Sequence, residues 1–548
     1  MGKTDRNRFA DAIRRRDFLA WAGASGVGLL TSSILGGTGF GRVLRAQDPA
    51  PAPAAPPANV VILLADDLGY AGVGCTGCPD IPTPHIDSIA KGGVRFTNGY
   101  VAAPLCAPSR AGLLTGRYQQ RFGFEHNPGP EQVASPLYGI PRAEAILAER
   151  FRANGRATGM VGKWHVGYKP DLAPPARGFD EFYGFLSGAH AYFPQRGRRG
   201  GGIYRGTEIA VEREYLTDAW SREAVAFVDR HKDAPFLLYL PFNAVHTPLE
   251  ASEKYLSRFP SMREGKRRTH AAMVTAMDDA IGAVLGKLRE HGLMERTLVF
   301  FLSDNGGPTP KNTSSNAPLR GFKAQMWEGG IRIPFMAQWE GKLPAGKVYA
   351  NPVISLDILP TACAAAGIAV PPEAKLDGVD LLPFLAGANA GKPHEDLFWR
   401  MGQQWAVRSG DWKLVMTRGT AQPWLVDLAA DVSESADLSA ANPEKARELR
   451  GKYDAWSAQM MNPRWQWGDG GKASPGARTP EPEDQEEEER KAEEAEDPFR
   501  VLDKNGDGKL SREEVPQRLS KFFDKADADG DGFLTPGEFR GALDGGAK

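Results

Sequence analysis

Cysteine is scarce: Cys75, Cys78, Cys106 and Cys363 are the four in a chain of 548 residues. So sparse a set excludes a disulfide scaffold, and no His/Cys grouping has the spacing of a zinc site. Net charge is almost absent too. The 67 basic and 68 acidic side chains leave a formal charge of -1, which gives no global attraction to nucleic acid or to an anionic membrane. Long apolar runs are also missing. The one weakly apolar stretch near the N-terminus, ending about Phe40, is too rich in glycine and polar residues for a membrane-spanning helix. No nucleic-acid partner and no stable membrane span are expected. The length exceeds one small core, so two or more structural units are expected.

What is present begins with an export signature. Arg15-Arg16-Asp17-Phe18-Leu19 matches the core pattern of a twin-arginine signal. Residues 1–46 are read as that signal, with a cleavage site near Leu44-Arg45-Ala46; an uncleaved anchor is the alternative. The reading makes the twin-arginine translocase a partner and the periplasm or the exterior the destination. A Pro/Ala tether follows at 47–58. A globular region spans 59–467, with a break expected near 390 between a larger unit and a smaller one, 391–467. Residues 468–497 become Gly/Pro-rich and then strongly acidic, the composition of a solvated linker. Residues 498–548 have a pattern of their own.

Short apolar runs in the globular region read as buried strands: NVVILLA from Asn59, ATGMVG from Ala157, PFLLYLPF from Pro235 and TLVFFLS from Thr297. Helical periodicity lies between them. AEAILAERFRANG stops at Gly155, TDAWSREAVAFVDRHK has Thr217 as its expected N-cap, and a third segment from His270 ends at Gly292. This alternation predicts an α/β fold with a mostly parallel sheet. The four strands run into Asp66-Asp67, Lys163-Trp164-His165, His246-Thr247-Pro248 and Asp304-Asn305. In an open parallel sheet all strand ends share one edge, where ligands bind. Three carboxylates and an amide oxygen at that edge suit a hard cation, Ca²⁺ or Mg²⁺. Singly, each motif reads equally well as a turn, a cap or a structural histidine. With Arg and Lys nearby, the set suits a sulfate or phosphate ester.

The stretch Cys106-Ala107-Pro108-Ser109-Arg110 through Leu113-Leu114-Thr115-Gly116-Arg117 fits C-x-P-S-R-x-x-L-L-T-G-R at every fixed position. It resembles the signature of the type I, formylglycine-dependent sulfatases. DDLG at Asp66, GKWHVG at Gly162, HTP at His246, SDNGG at Ser303 and RGFKAQMWEGGIRIPF at Arg320 extend the resemblance over 59–467 in the family's order. The resemblance implies an alkaline-phosphatase-like fold: a large mixed sheet flanked by helices, and a smaller C-terminal subdomain with an antiparallel sheet. LFWRM, WAVRSGDWKLVM and PWLVDL fit that subdomain, with DWKLV and WLVDL reading as edge strands.

The resemblance further implies that a maturation enzyme, the formylglycine-generating enzyme, oxidises Cys106 to an aldehyde (3-oxoalanine) after reading C-x-P-S-R in unfolded chain. One hydroxyl of the hydrated aldehyde attacks sulfur and expels the alcohol; loss of a proton from the second eliminates sulfate. By the same resemblance, Asp66, Asp67, Asp304, Asn305 and residue 106 are calcium ligands. Arg110 and Lys163 orient the diol, His165 is the base for sulfate release, and His246 and Lys323 bind sulfate and protonate the leaving oxygen. Ser109 belongs with the maturation signal. The implied substrate is a sulfated carbohydrate or an aryl sulfate. A phosphomonoester or phosphonate ester hydrolase of the same fold is the alternative enzyme, and a calcium-dependent, non-catalytic binder of sulfated glycans the alternative outside enzymes.

Three features stand apart. Cys75-Thr76-Gly77-Cys78 has redox spacing but lies in a loop, so a local disulfide or two free thiols are expected, and Cys363 in TACAAAG is expected to be buried and inert. The loop from His190 to Arg205 adds positive charge beside the pocket. Asp503, Asn505, Asp507, Lys509, Ser511 and Glu514 occupy the ligand positions of a twelve-residue EF-hand loop, with Gly508 at the turn. Asp527, Asp529, Asp531, Phe533, Thr535 and Glu538 repeat it around Gly532, which predicts two Ca²⁺ sites of extracellular type, with affinities of about 10⁻⁴ to 10⁻³ M.

Overall fold

The computed structural model describes residues 58–129, 135, 137–194, 201–465 and, near the C-terminus, 502, 503, 505, 507–515, 523, 526, 527, 529–535 and 538. The expected export signal, most of the Pro/Ala tether, the acidic linker and residues 195–200 of the basic loop lie outside them.

A ten-stranded mixed sheet forms the frame. Its order is Lys347–Tyr349, Val94–Phe96, Phe335–Gln338, Thr297–Ser303, Asn59–Ala65, Phe236–Pro241, Ala157–Lys163, Glu181–Phe185, Ile203–Arg205, Glu208–Ala210. The five strands from Thr297–Ser303 to Glu181–Phe185 are mutually parallel, so their carboxyl ends share one edge. NVVILLA is apolar after Asn59 because both of its faces are covered: Val60, Ile62 and Leu64 join one core cluster, and Val61, Leu63 and Ala65 the other. Pairing continues beyond the strands. Asp304 N–H donates to Ala65 O (3.0 Å), Asp66 N–H to Ala244 O (2.9 Å) and Val245 N–H to Asp66 O (2.6 Å), which ties the turns at the edge together.

A second, four-stranded antiparallel sheet runs Asp396–Met401, Gln404–Ser409, Trp412–Met416, Trp424–Asp427, with the helix Pro443–Ser457 against it. Its Trp399, Trp405, Val407 and Leu414 share a core with Tyr100, Met326 and Trp327 of the larger unit. In the EF-hand segment, Leu510–Ser511 pairs antiparallel with Phe533–Leu534, over a small cluster of Leu510, Val515, Phe523, Ala526 and Leu534.

Three local expectations need correction. Thr217 is no cap: the helix runs Leu216–Arg230 after Tyr215, and Thr217 is buried within its first turn. The helix expected from Ala143 spans only Leu147–Ala153; Ile146 caps it and Glu149 reaches back to the Ile146 N–H (2.9 Å). Of the two segments expected at edges, Trp424–Asp427 is one, but Trp412–Met416 is interior, because the strand Gln404–Ser409 pairs with its other side. Gly155 and Gly292 do follow helix ends, at φ 71° and 63°.

Candidate active site

Residue 106 opens a helix, Cys106–Thr115, in which every side chain is buried. Leu105 enters extended, Pro108 falls in the first turn, where its missing N–H costs no hydrogen bond, and Gly116 closes the helix at φ 66° with its N–H on Gly112 O (2.8 Å). The helix N-terminus therefore presents residue 106 at the carboxyl edge of the sheet, where the dipole favours negative charge.

The ten residues singled out in the sequence converge there. Cys106 Sγ lies 3.6 Å from Asp66 Oδ1 and 3.1 Å from Lys323 Nζ. Lys163 Nζ donates to Asp66 Oδ2 (2.6 Å). Arg110, fully buried, gives Nε and Nη2 to Asp304 Oδ2 (2.9 and 2.8 Å) and Nη1 to Lys163 O (2.9 Å). Lys323 Nζ contacts both Asp67 oxygens (2.9 and 3.0 Å). Asn305 Nδ2 donates to Asp67 Oδ1 (2.6 Å), and His246 Nε2 lies 3.6 Å from Asp67 Oδ2. Asp67 and His165 occupy left-handed backbone, φ 62° and 65°. Such conformations in non-glycine residues cluster at sites whose surroundings over-determine them.

Burial and neighbours set the charges. Burial, with Asp304 next, raises the Asp66 carboxyl to about 7. Burial would raise Asp67 too, but Lys323 and His246 hold it well below the usual carboxylate range. Burial, then Lys163, Arg110 and Lys323, pushes His165 well below its ordinary value, so it is neutral. Burial also lowers His246, against the pull of Asp67. Lys323 is raised well above an ordinary lysine despite burial, mainly by Asp67. Burial drives the Cys106 thiol far up, and a neutral thiol is a poor nucleophile.

The donor set fits a hard cation. Ligand atoms of Asp66, Asp67, Cys106 and Asp304 all lie within 4.8 Å of one another. Asn305 Oδ1 is buried without a hydrogen-bond partner, while its Nδ2 is engaged. An orphan carbonyl oxygen beside three carboxylates is a ready ligand for Ca²⁺. With three carboxylates balanced by Arg110, Lys163 and Lys323, a divalent cation leaves the site net positive, as an anionic ester requires.

Several contributing groups gave no sequence signal of their own. Ser314 Oγ (2.8 Å) and Asn312 Nδ2 (3.2 Å) donate to Asp67 O. Ser303 Oγ donates to Asn305 O (2.9 Å) and accepts from Leu68 N–H (3.0 Å). Gly188 faces the His165 ring, leaving no room for a Cβ. Elsewhere, Cys75 and Cys78 are free thiols here, the second of the two expectations, and burial raises Cys75 to about 12, which disfavours its thiolate. Cys363 is buried, as expected.

The EF-hand loops repeat one hydrogen-bond scheme. Gly508 N–H donates to Asp503 Oδ2 (2.9 Å) and Gly532 N–H to Asp527 Oδ2 (3.1 Å). Ser511 Oγ donates to Glu514 and Thr535 Oγ1 to Glu538, each at 2.7 Å. Asn505 accepts from Asp507 N–H (2.9 Å), as Asp529 does from Asp531 N–H (3.1 Å). Lys509 and Phe533, at the position that offers a carbonyl, lie on or beside the strand pair joining the loops. Asp527, Asp529 and Glu538 bring ligand atoms within 4.8 Å of one another.

Known proteins agree with this geometry. A sulfatase family model matches residues 58–368, and an EF-hand model matches 496–515 and 519–543. The chain is 35% identical over 367 residues to N-acetylgalactosamine-6-sulfatase of Canis lupus familiaris, across 63% of this chain and 69% of that one. It is 33% identical over 454 residues to arylsulfatase A of Homo sapiens, across 72% and 86%. Among solved structures, Ps i-CgsB superposes with a TM-score of 0.71 at 35% identity, over 75% of this chain and 94% of that one, and has also been solved with k-i-k-neocarrahexaose. The chain belongs to the sulfatase family of the alkaline-phosphatase-like superfamily, a sulfuric ester hydrolase with an EF-hand region at its C-terminus.

Proposed function

We propose that this sulfatase is exported and removes sulfate from sulfated carbohydrates, using a formylglycine made from Cys106 and a Ca²⁺ held by Asp66, Asp67, Asp304 and Asn305. One observation supports the reading most: residue 106, at a helix N-terminus, stands 3.1 Å from a lysine and 3.6 Å from a carboxylate of an oxygen-donor set. The bound Ca²⁺ would supply positive charge against the sulfate ester. The hydrated aldehyde would supply one hydroxyl to attack sulfur and a second for release.

The protein's own groups divide the remaining work. Arg110 and Lys163, locked on Asp304 and Asp66, would hold the diol in one orientation. His246 Nδ1 donates to Thr247 O (2.6 Å), so its neutral form has a bare Nε2 and can only accept there. Lys323, an ammonium with three protons, is the better donor to the leaving oxygen. His165 is assigned as the base for sulfate release, a role supported by its neutral, buried ring and unpartnered Nδ1. The carbohydrate reading is supported by the names of the relatives: an N-acetylgalactosamine-6-sulfatase, and a structure solved with a hexaose. Export is supported by Arg15-Arg16-Asp17-Phe18-Leu19, and Ca²⁺ in the EF-hands by their two matched loops.

Mass spectrometry of the peptide containing residue 106, from protein made in its native host and exported, is the direct test. The aldehyde mass is expected; an unmodified thiol in active protein overturns the formylglycine reading. Cys106→Ala is expected to abolish turnover with the thermal midpoint unchanged within a few degrees. A panel of sulfated sugars beside an aryl sulfate and the matched phosphate esters tests the substrate class.

A further inference from the structure

Lys323 sits on the loop between Arg320 and Trp327, and part of that loop's hydrogen bonding is with the antiparallel sheet and the chain that follows its strands. Ala324, in left-handed backbone at φ 67°, donates its N–H to Pro104 O (2.9 Å), two residues before residue 106. On its other side Ala324 O accepts from Gln404 Nε2 (3.1 Å), at the start of the second strand of that sheet. Gln404 Oε1 in turn accepts from Thr417 Oγ1 (2.6 Å) and from Arg418 N–H (3.0 Å). Thr417 Oγ1 then accepts from Met326 N–H (2.9 Å). The circuit is closed: two side chains grip the backbone just after Lys323, at positions 324 and 326, and each donor meets an acceptor.

Three further ties hold the ends of the loop. Arg320 Nη1 donates to Glu434 O (2.7 Å), and its guanidinium lies over Trp327 and Trp424, 4.0 and 4.7 Å from the ring centroids. Glu434 accepts from the Glu328 N–H (2.6 Å). Lys413, fully buried, lies 2.9 Å from both Glu328 and Glu434.

We propose that Gln404 and Thr417 are positioning residues for Lys323, and that the antiparallel sheet is thereby part of the catalytic frame. The inference rests on Lys323 acting at the reacting centre, as proposed above. The loop's backbone has left-handed geometry at an alanine, which local preference disfavours. Something must hold it, and the Gln404–Thr417 pair supplies the hydrogen bonds at that point. Without the Thr417 hydroxyl, Met326 N–H and Gln404 Oε1 each lose a partner. The loop then relaxes, and the Nζ drifts from residue 106.

The test is a double-mutant cycle with Thr417→Val, Thr417→Ser and Lys323→Met in the full-length enzyme. It is read on a good and a poor aryl sulfate leaving group, with a thermal melt for each variant. Thr417→Val is expected to lower kcat on the order of tenfold, more for the poor leaving group, while Thr417→Ser stays within about twofold. On the Lys323→Met background, Thr417→Val is expected to cost nothing further. If Lys323→Met leaves kcat intact for both esters, the role of Lys323 itself fails. If Lys323→Met is damaging but Thr417→Val costs the same tenfold on top of it, or leaves kcat unchanged alone, the positioning inference fails. Should Thr417→Val prove unfolded, Gln404→Leu takes its place in the same cycle.

Discussion

Gly188→Ala gives the sharpest test of the role assigned to His165. A Cβ built on Gly188 falls 2.5 Å from His165 Nε2, 2.7 Å from Cε1 and 3.2 Å from Cδ2. Carbon contacts settle near 3.5 Å, so the ring must retreat by about 1 Å. Gly188 is not in left-handed backbone, so alanine brings no backbone strain of its own. The His165 backbone cannot yield easily, because its N–H donates to Leu186 O (3.0 Å) and its φ is already 65°. The ring therefore tilts. Misplacing a catalytic group by about 1 Å costs roughly 10²-fold in rate, or about 2.7 kcal/mol of barrier. Overpacking should also lower stability by about 1–3 kcal/mol, which leaves the protein folded at 25 °C. The loss should fall on one step. On the proposed reading, alcohol expulsion does not use His165 as base, whereas sulfate release does. Rapid mixing with an aryl sulfate should show a burst of alcohol equal to the active enzyme, followed by turnover about 10² slower. Turnover within twofold of the unaltered enzyme, or a uniform loss without a burst, would refute the assignment.

Asn305→Ala removes the orphan oxygen and should raise the Ca²⁺ concentration needed for the full thermal midpoint; since saturation at about 100 times Kd contributes roughly 2.7 kcal/mol, calorimetry across a Ca²⁺ titration reads this without any activity assay. Glu434 is raised to about 7, by burial first and by Glu328 after the offset from Lys413, which also serves Glu328. A carboxyl whose folded pKa is raised binds its proton more tightly in the fold, so its contribution to stability is present at low pH and lost as pH climbs from its ordinary 4.5 to about 7. Glu434→Gln should flatten that part of the stability profile, and an unchanged slope would show that the carboxyl titrates normally.

The sheet edge was legible because its chemistry is local. NVVILLA, ATGMVG and TLVFFLS are apolar on both faces, and each ends where the polar residues begin, so strand ends and site residues were visible together. The Cys106 stretch was legible as a pattern, but its helix was not, since Cys-Ala-Pro-Ser has no preferred cap. Thr217 misled because a threonine before a periodic run looks like a cap whether or not the tertiary structure starts the helix a residue earlier. The Gln404–Ala324 and Thr417–Met326 contacts span 80 and 91 residues, and neither glutamine nor threonine announces a partner. The left-handed turns at Asp67, His165 and Ala324 were equally silent, because glycine, the usual marker, is absent from all three.

The depth at which residue 106 lies has a consequence for how the enzyme is made. All ten residues of its helix are buried, and Cys106 is 1% exposed. Once this helix docks, no second protein can reach the sulfur. On the proposed reading, activation is therefore a race, run once per molecule, between encounter with the modifying enzyme and closure of the core. Each chain that folds first is stranded as a stable, inactive copy. Specific activity then records the outcome of synthesis rather than the health of the purified protein. Slowing translation, or raising the modifier relative to its client, should increase active fraction, while incubating finished protein with modifier should not.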